Sequence, residues 1–560
     1  MQQRDISKLT QTEFDVVIIG GGISGAWLSL HCVQQGYKTA LIERADFASS
    51  TSSASSKLLH GGIRYLQQFQ FDKVRESALE RAQYMYAAPH LSKAVPFVVP
   101  TYPDFKRSKF FLNCGMIAYR LLCLGENRLI GSRQENLPSI HSIKADALNT
   151  LCDLSQEKHT GAVVFYERHM LDSERMVLSI LQSAQELGAQ TFNYVSAEGF
   201  TGEDDEITGI AAKDQLTGNK LTIASKLVIN AAGPFIDNLN SKLKSARHAP
   251  SINGFAVGSH IVTRQLCDHA IALTTKHQSN AKVDRGGRHV FVIPWRGHSL
   301  IGTSYDEIDS PNGDISIQAD HVEQLLEAVN DGWPSAKLTR SDIVSGYSGL
   351  YPLHTENIKN TVYQGSGEYQ IIDHQQANGV SGMITALGAK FTTGRKISAL
   401  TMTLINRRLG GSKKISKTRL CSADYENFTA YRQNKLNEYQ DQLGTELIDH
   451  LLMLYGSQFD QFVETIKSEP ALRQKICSSQ PDILGQVTWA ITHEQALTLD
   501  DVLYGRTSLG LLGIHADELL PIADTMAELL RWSEQERKQQ LERSVKRLLS
   551  TDKAIHGQQA

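Results

Sequence analysis

The chain has 560 residues, too many for one compact core, so its length predicts two or three domains. A formal net charge of −3, without a long run of like charges, excludes an electrostatic footprint for nucleic acid. Seven cysteines without a CxxC pair are typical of a reducing compartment and argue against a structural zinc site, so no metal is expected.

The N-terminal sequence predicts a βαβ unit. FDVVII (14–19) is a short β-branched run of the kind found in buried parallel strands. An apolar-periodic helix follows, and KTALIE (38–43) is the second strand. The turn before the helix reads Gly20-x-Gly22-x-x-Gly25, and each glycine has a steric reason. They allow a tight turn, backbone access for a pyrophosphate and close packing of helix on strand.

Glu43 closes the second strand roughly twenty residues after Gly20, where an acid can accept hydrogen bonds from the ribose of an adenosine. The helix N-terminus offers N–H groups and a positive dipole end to the pyrophosphate. Strand, turn, helix and acid together predict a dinucleotide site. A second strand that ends on glycine, KLVINAAGPFID (226–237), and the small residues of TSSASSK (51–57) favour FAD over NAD.

Further along the chain the texture changes twice. Between about 90 and 330 short strands mix with helices, and EDDEITGIAAKDQLTGNKLTIA (203–224) predicts a hairpin. From about 415 glycine becomes scarce and Leu, Gln, Glu and Lys recur at helical spacing, which predicts a helical C-terminal domain after the linker LGGSKKISKT (409–418). These helices are expected to serve domain packing or dimerisation, and a homodimer is one expected assembly.

One bulky apolar stretch, KRSKFFLNCGMIAYRLLCLGENRLIG (106–131), predicts a helix of about four turns. Lys106, Arg107 and Lys109 flank it, and no apolar run of the chain reaches the roughly 18 residues that span a bilayer. Two interpretations are open. The stretch is a core or interdomain helix, or it lies in the membrane interface with its cations towards anionic lipid.

Several motifs occur in the order seen in FAD-dependent glycerol-3-phosphate dehydrogenases, and the sequence resembles that family from about residue 12 to 400. They are GGGISGAWLSL (20–30), TSSASSKLLHGGIRYLQQF (51–69), GSHIV (258–262), VFVIPW…IGTSYDE (290–307), YSGLYPL (347–353) and GAKFTTGRK (388–396). SSKLLHGGIRYL, within the second motif, is very specific to the family. The likeness continues more weakly through THEQALTLDDVLYGRTSLGL (492–511).

The resemblance implies an α/β fold with a Rossmann-like FAD-binding domain, an antiparallel-sheet substrate domain and a C-terminal helical domain. The expected boundaries are 12–90 and 171–240 for the two parts of the FAD-binding domain, 91–170 for a substrate or cap region with the candidate interfacial helix, 241–350 for the substrate domain, 351–410 for a segment that closes the FAD and substrate sites, and 415–550 for the helical domain.

Family members transfer a hydride from C2 of the substrate to flavin N5 and pass the electrons to membrane quinone, or in some cases to oxygen. The resemblance therefore implies FAD-dependent oxidation of sn-glycerol-3-phosphate to dihydroxyacetone phosphate. Quinone use agrees with the interfacial interpretation of 106–131, and the polar first fifteen residues predict no signal peptide. We expect a cytoplasmic protein held peripherally on the inner face of the cytoplasmic membrane.

By resemblance, the small residues 51–57 line the flavin, His60 approaches its ring, and Arg64 with Tyr65 reaches the substrate. An arginine presents a rigid fork of donors to a phosphate, and a tyrosine adds one hydroxyl on a stiff ring. The residues expected to contact FAD are Gly20, Gly22, Gly25, Glu43, Thr51, Ser52, Ser53, Ser55, Ser56, Lys57, His60, Gly61, Gly62, Val195, Gly233, Gly388, Lys390, Phe391 and Thr392, with Thr393 beside them.

Two further residues carry over from the family. His260 matches a histidine that faces the substrate and could accept the C2 hydroxyl proton, although a hydrogen-bonded core histidine is the alternative. Lys390 matches a lysine that could pair with substrate phosphate or stabilise the reduced, anionic flavin. The expected catalytic residues are Arg64, His260 and Lys390, and Tyr65 and Tyr351 join them as expected substrate-binding residues.

The sequence departs from the family at the phosphate end of the site. Tyr351 stands where the family motif YSG-x-RPL has an arginine, and a second family arginine further along is missing. TTGR replaces TTYR, so Gly394 replaces an aromatic residue. A charge-assisted contact contributes about 1.5–3 kcal/mol, which one neutral hydroxyl does not replace. Either Arg64 and Lys390 suffice for glycerol-3-phosphate, or the pocket takes a different alcohol or an amine, as a dehydrogenase or an oxidase.

Two other classes of protein are open. A non-catalytic flavoprotein or binding scaffold is disfavoured because Arg64, His260 and Lys390 are retained. A flavin monooxygenase is disfavoured because the sequence has no second nucleotide fingerprint.

Overall fold

The structure is a computed structural model that describes residues 4–130, 133–152, 154, 159–243, 252, 254–274, 289–308, 315–353, 369–388, 390–411 and 414–557. This part of the chain forms a mixed sheet, a second and mostly antiparallel sheet, and a C-terminal set of helices.

The strands are β1 Phe14–Ile19, β2 Thr39–Ile42, β3 Leu58–Leu59, β4 Ser92–Thr101, β5 His141–Lys144, β6 Gly161–Met170, β7 Gln190–Phe192, β8 Val195–Thr201, β9 Gly209–Asp214, β10 Lys220–Asn230, β11 Phe255–Arg264, β12 Ala270–Thr274, β13 His289–Trp295, β14 His298–Gly302, β15 Asp306–Ile308, β16 Ile343–Pro352, β17 Gln370–Asp373 and β18 Met383–Leu387.

The α-helices are α1 Ser7–Gln11, α2 Ile23–Gln35, α3 Ile63–Leu66, α4 Phe71–Ala87, α5 Lys109–Leu122, α6 Glu126–Ile130, α7 Ala145–Leu151, α8 Ser173–Glu186, α9 Ile236–Asn240, α10 Ala319–Gly332, α11 His374–Ala377, α12 Gly394–Leu409, α13 Phe428–Leu443, α14 Thr445–Tyr455, α15 Phe459–Ser468, α16 Leu484–Glu494, α17 Leu519–Leu530 and α18 Glu534–His556.

The first sheet is built on the N-terminal βαβ unit. Its order is β17-β18-β10-β1-β2-β7, and β1 pairs in parallel with both β2 and β10. β17 runs antiparallel to β18, and the β8-β9-β10 meander adds antiparallel pairs, so the sheet is mixed. The continuous β-branched run of β1 is buried on nearly every residue, as expected for a strand covered on both faces. The predicted βαβ unit, the returning strand and the hairpin are confirmed.

The second sheet has the order β15-β11-β14-β13-β12-β4-β6-β3, with β16 beside β11 and β5 beside β6. Its pairs are antiparallel except for β4 and β12, which run parallel through Phe97 and Ala270. The antiparallel substrate sheet that the sequence predicts is thus present, with this one parallel pair. Residues of β16 line a cleft at the edge of the first sheet, so the two sheets meet at the candidate site.

The C-terminal domain is helical from α13 to α18, as predicted. Its core includes Phe462 and Trp489, which pack together with ring centres 5.6 Å apart. Buried ion pairs attach the domain to the remainder of the chain. Arg296 of the second sheet, for example, donates to Asp482 at 2.7 Å.

The helix predicted over 106–131 is α5, which begins after Ser108 and ends at Leu122. The Ser108 hydroxyl accepts a hydrogen bond from Phe111 N at 3.2 Å and so caps the first turn. One face of α5 is buried against the second sheet through Leu112 and Met116. The opposite face is exposed. Among the described residues, no helix is both long and apolar enough to cross a membrane.

A buried cluster of charges joins α4, α6 and β6. Arg81 donates to both carboxylate oxygens of Glu126, at 2.7 and 2.9 Å, and also to Glu167. Glu167 in turn accepts from the Tyr119 hydroxyl at 3.2 Å and from Gly61 N at 2.9 Å. The cluster therefore supports the glycine turn of the most specific sequence motif.

Replacing Arg81 with Met should destabilise the protein strongly, because two buried carboxylates lose their cation. We expect the free energy of unfolding in urea to fall by about 3–5 kcal/mol. Arg75→Met on the same helix is the matched control, since the Arg75 side chain is exposed and donates to two carbonyl oxygens of the described residues. The control should cost less than about 0.5 kcal/mol. Equal losses in the two variants would contradict the importance of the cluster.

Candidate functional site

A cleft of about 1120 Å³ lies at the carboxyl ends of β1, β2 and β10. Ligands of open α/β sheets bind at such edges. The predicted residues that line it are Gly20, Gly22, Glu43, Thr51, Ser52, Ser53, Val195, Gly233, Tyr351, Gly388, Lys390 and Phe391. Eleven of the nineteen residues predicted to contact FAD are therefore brought together in one cleft.

The glycine turn has the close approaches that its sequence predicts. Gly20 has a φ of +110°, and a Cβ there would lie 2.5 Å from the carbonyl oxygen of Ala231. A Cβ at Gly25 would overlap the carbonyl oxygen of Gly20. Ile23 begins α2, and its N–H donates to the Ser52 hydroxyl at 3.0 Å. The turn thus presents a helix N-terminus to the cleft, as a pyrophosphate site requires.

Glu43 occupies the position expected of a ribose-binding acid. Its carboxylate accepts from Gly21 N at 2.7 Å and from Ala45 N at 3.0 Å. Burial raises the pKa of Glu43 in spite of these two bonds. A carboxylate has about four lone-pair positions, so two backbone bonds orient the group and leave positions for ribose hydroxyls.

Buried polar atoms near the cleft are left for a bound group to satisfy. Within the described ranges, the Thr392 hydroxyl beside Phe391 and Nδ1 of His260 have no hydrogen-bond partner. Buried polar atoms are normally bonded, and a bound group can supply the partner. The glycine turn, Glu43 and these two atoms together fit a flavin dinucleotide.

The first cluster of predicted substrate residues surrounds Tyr65. Nζ of Lys390 lies 4.5 Å from the centre of the Tyr65 ring and donates to the Ser77 hydroxyl at 2.8 Å. The side chain of Arg64 is exposed and forms a hydrogen bond with Tyr65. Burial, together with the like charges of Lys73 and Arg64, lowers the pKa of Lys390 to about 8, although Glu76 and Glu80 oppose the shift. Cations of the first cluster are therefore placed close together.

The second cluster surrounds His260, which is 3% exposed. Its Nε2 lies 3.1 Å from the Ser56 hydroxyl and 3.1 Å from the Thr303 hydroxyl. The ring stacks on Tyr347 with centres 5.1 Å apart, and the Tyr347 hydroxyl donates to the carbonyl of Ser55 at 2.6 Å. Burial lowers the pKa of His260 to about 3, with a further contribution from the charge of Lys57. The imidazole is neutral at physiological pH.

The stretch 51–66 contributes residues to both clusters. Ser56 belongs to the His260 cluster, and Arg64 and Tyr65 begin the other. Between them His60 accepts from Gly62 N at 3.2 Å, and burial, with the charges of Lys390, Arg64 and Arg81, lowers its pKa to about 3. The predicted residues that lie outside the lining of the cleft are Gly25, Ser55, Ser56, Lys57, His60, Gly61, Gly62, Arg64, Tyr65, His260, Thr392 and Thr393.

Lys57 has a contact that the sequence did not reveal. Its side chain has no exposed area, and its Nζ donates to the two carboxylate oxygens of Glu174 at 2.8 and 3.1 Å. Glu174 lies on α8, far along the chain, so no local signal could have identified the pair. Ser77 and Glu167 were missed for the same reason. Each supports a predicted residue from a distant element.

The two departures from the family have different structural settings. Tyr351 lies on β16 opposite Ala256 of β11 and lines the cleft. Gly394 begins α12 and is buried, and a Cβ there would lie 2.8 Å from Cγ1 of Ile23. A side chain at position 394 would thus meet Ile23. Residues 354–368, with Lys359, lie outside the described residues.

Two families of known proteins match the chain. The family described as FAD dependent oxidoreductase matches residues 15–395. The family described as C-terminal domain of alpha-glycerophosphate oxidase matches residues 406–537. The first match covers both clusters and the lining of the cleft except for the part that the C-terminal domain contributes.

Individual relatives extend this likeness over the full length. The chain is 31% identical over 556 residues to a glycerol-3-phosphate dehydrogenase of Synechocystis, covering 96% of this chain and 97% of that protein. It is also 31% identical over 559 residues to the mitochondrial glycerol-3-phosphate dehydrogenase of Homo sapiens. This match covers 96% of this chain and 73% of the human protein. The crystal structure of a glycerol-3-phosphate dehydrogenase from Bacillus halodurans complexed with FAD has the same fold, with a TM-score of 0.77 and 24% sequence identity. The superposition covers 99% of this chain and 97% of that protein.

Proposed function

We propose, since the chain belongs to the FAD-dependent oxidoreductase family, that it oxidises sn-glycerol-3-phosphate to dihydroxyacetone phosphate. The chain is an FAD-dependent oxidoreductase acting on a CH–OH group, and FAD is its cofactor. One observation carries the choice of substrate. Arg64 and Lys390 converge on Tyr65 beside the cleft and so offer two cations to a phosphate.

The glycine turn, Glu43 and residues 51–53 would hold FAD, and its N5 would supply the acceptor for the hydride of substrate C2. Arg64 would bind the phosphate with its planar fork of donors, and Lys390 would add a point charge. Both interactions orient C2 and its hydroxyl relative to the rest of the site. Positioning of this kind accounts for a large share of enzymatic rate enhancement.

His260 is the proposed acceptor of the hydroxyl proton. Loss of the C2 hydride and of the hydroxyl proton converts the alcohol to a ketone, which is a two-electron oxidation. Nδ1 of His260 has no hydrogen-bond partner in the described part of the chain, so the neutral ring can present a lone pair to that proton. The Ser56 and Thr303 hydroxyls fix the ring from its Nε2 side, and the stacked Tyr347 fixes its plane.

A second candidate is oxidation of a different alcohol or of an amine. Tyr351 favours it, because this neutral side chain lines the cleft where the resembled family has an arginine. Such a substrate would be less anionic than glycerol-3-phosphate, and the enzyme would act on it as a dehydrogenase or an oxidase.

Anaerobic mixing with glycerol-3-phosphate should bleach the absorbance of the bound flavin within one turnover. Glycerol, which lacks the phosphate, should bleach it far more slowly. Arg64→Gln should lower kcat/KM for glycerol-3-phosphate about 10- to 100-fold, the equivalent of a charge-assisted contact of about 1.5–3 kcal/mol. The exposed Arg75→Gln on α4 is the control for loss of one charge and should have no effect. Equal rates with both alcohols would favour the second candidate.

The activity with glycerol-3-phosphate should fall at alkaline pH. The pKa of Lys390 is lowered to about 8, so the side chain is cationic below that pH and neutral above it. A neutral amine does not attract the phosphate, and kcat/KM should decrease up to about tenfold per pH unit above pH 8. Lys390→Arg keeps its charge at these pH values and should remove the decrease. If kcat/KM still decreases above pH 8 in Lys390→Arg, the titration of Lys390 is not the cause of the decrease.

We also propose that the protein attaches to anionic membranes and passes its electrons to quinone. Half of the exposed large hydrophobic side chains of the described residues lie between positions 69 and 124. This outer apolar surface consists of Phe69, Phe71, Phe105, Phe110, Ile117, Leu121 and Leu124, which are 45–71% exposed. The basic residues Lys106, Lys109 and Arg120 lie on or next to α5, as in helices that lie in a membrane interface.

Vesicle sedimentation tests this attachment. The protein should bind vesicles that contain phosphatidylserine, bind pure phosphatidylcholine more weakly, and dissociate as the salt concentration rises. The triple variant Phe110→Ser, Ile117→Ser, Leu121→Ser should lose binding. The control replaces three exposed leucines elsewhere, Leu520, Leu529 and Leu549, with Ser and should retain it. Rapid reoxidation of the reduced protein by air, without vesicle binding, would replace quinone by oxygen as the acceptor.

A further inference from the structure

The segment 492–511 is a sequence motif that the proposed reaction does not use. It belongs to the C-terminal domain, where α16 ends at Glu494 and a π-helical turn covers Asp501–Arg506. This segment packs on the loop 43–50, which follows β2 and begins with Glu43. Residues of the loop 43–50 and of the segment 492–511, including Asp46 and Asp501, line the cleft. One wall of the dinucleotide cleft is therefore shared by the first sheet and the C-terminal domain.

Arg506 and Asp46 form a buried ion pair in this wall. Nη1 of Arg506 donates to Oδ2 of Asp46 at 2.7 Å, and Nη2 donates to Oδ1 at 3.0 Å. The neighbouring Gly505 lies so close that a Cβ there would be 2.7 Å from Oδ2 of Asp46. A guanidinium that binds both carboxylate oxygens fixes the orientation of the carboxylate as well as its position.

The segment 492–511 also contacts Tyr194, which lies beside the loop 43–50. Val195 N donates to the carbonyl of Glu43 at 2.8 Å, and Tyr194 N donates to the carbonyl of Ala45 at 3.0 Å. The hydroxyl of Tyr194 donates to Oδ1 of Asp501 at 2.5 Å. The C-terminal segment is thus connected, through Tyr194 as well as through Asp46, to the backbone that carries the ribose-binding acid.

Arg506 is itself held in place on the C-terminal side. Its Nη2 donates to the carbonyl of Glu494 at 2.8 Å. The carboxylate of Glu494 accepts from Trp489 Nε1 at 3.0 Å and from Arg175 of α8. Arg506 is 3% exposed and Glu494 has no exposed area. Buried groups held by several hydrogen bonds have little freedom to lose when a ligand enters, which favours binding.

We propose that Arg506 is a positioning residue for FAD, and that it acts through Asp46 by holding the loop 43–50 in the conformation that binds the cofactor. Formation of the Arg506–Asp46 pair and binding of FAD then stabilise each other, because linkage between two events is reciprocal. The inference does not depend on which alcohol the enzyme oxidises.

The test uses the full-length protein after removal of FAD. Titration of the apoprotein with FAD, followed by flavin fluorescence, should give a Kd at least tenfold higher for Arg506→Gln than for the unchanged chain. Excess FAD should restore full occupancy. At one fixed FAD concentration, the rise in Tm that FAD produces should be smaller in the variant.

Arg296→Gln is the matched control. The side chain of Arg296 is also buried. It pairs with Asp482 and donates to the carbonyl of Thr507, so it ties the C-terminal domain to the second sheet without bonding Asp46. This variant should lower the Tm of the apoprotein and leave the Kd for FAD unchanged. If it raises the Kd as much as Arg506→Gln does, the effect is general loss of domain docking and the proposal is overturned.

Asp46→Asn provides a milder change that keeps the test valid if Arg506→Gln does not fold. It should raise the Kd for FAD several-fold, and adding Arg506→Gln to it should raise the Kd no further than Arg506→Gln alone. Multiplying effects in the double variant, or an unchanged Kd in either single variant, would overturn the proposal.

Discussion

The buried ion pair between Lys57 and Glu174 anchors the stretch of chain from which the site is built. Lys57 has a φ of +53°, which few residues other than glycine adopt readily, and its side chain has no exposed area. A buried pair adds little net stability, but removing one partner leaves an unpaired buried charge and is strongly destabilising. The pair therefore fixes where the stretch 51–66 lies between the two sheets.

The geometry of both candidate clusters follows from that position. Thr51 donates to the carbonyl of Leu350 at 2.8 Å, and Ala54 packs against Gly349, where a Cβ could not be accommodated. The stretch 51–66 thus packs closely on β16, the strand from which Tyr351 lines the cleft. From there it places Ser56 beside His260 in the second sheet. The proposed substrate site would lie at a junction between the two sheets, beside the cleft that Tyr351 and Lys390 line.

Local features of the sequence could be predicted and distant contacts could not. The strand β1, the glycine turn and Glu43 are specified by hydrophobic pattern and spacing within one short segment, so the dinucleotide cleft could be recognised. The partner of Lys57 could not, because it comes from α8. The packing of Ile23 against Gly394 and the pair of Arg506 with Asp46 also join segments hundreds of positions apart, and no periodicity carries that information.

The most direct measurement is a crystal structure of the FAD-loaded protein with glycerol-3-phosphate bound in the absence of oxygen. The account predicts phosphate oxygens within hydrogen-bond distance of both Arg64 and Lys390, with the C2 hydroxyl directed at His260. A phosphate bound away from Arg64 and Lys390, or a C2 hydroxyl out of reach of His260, would contradict it.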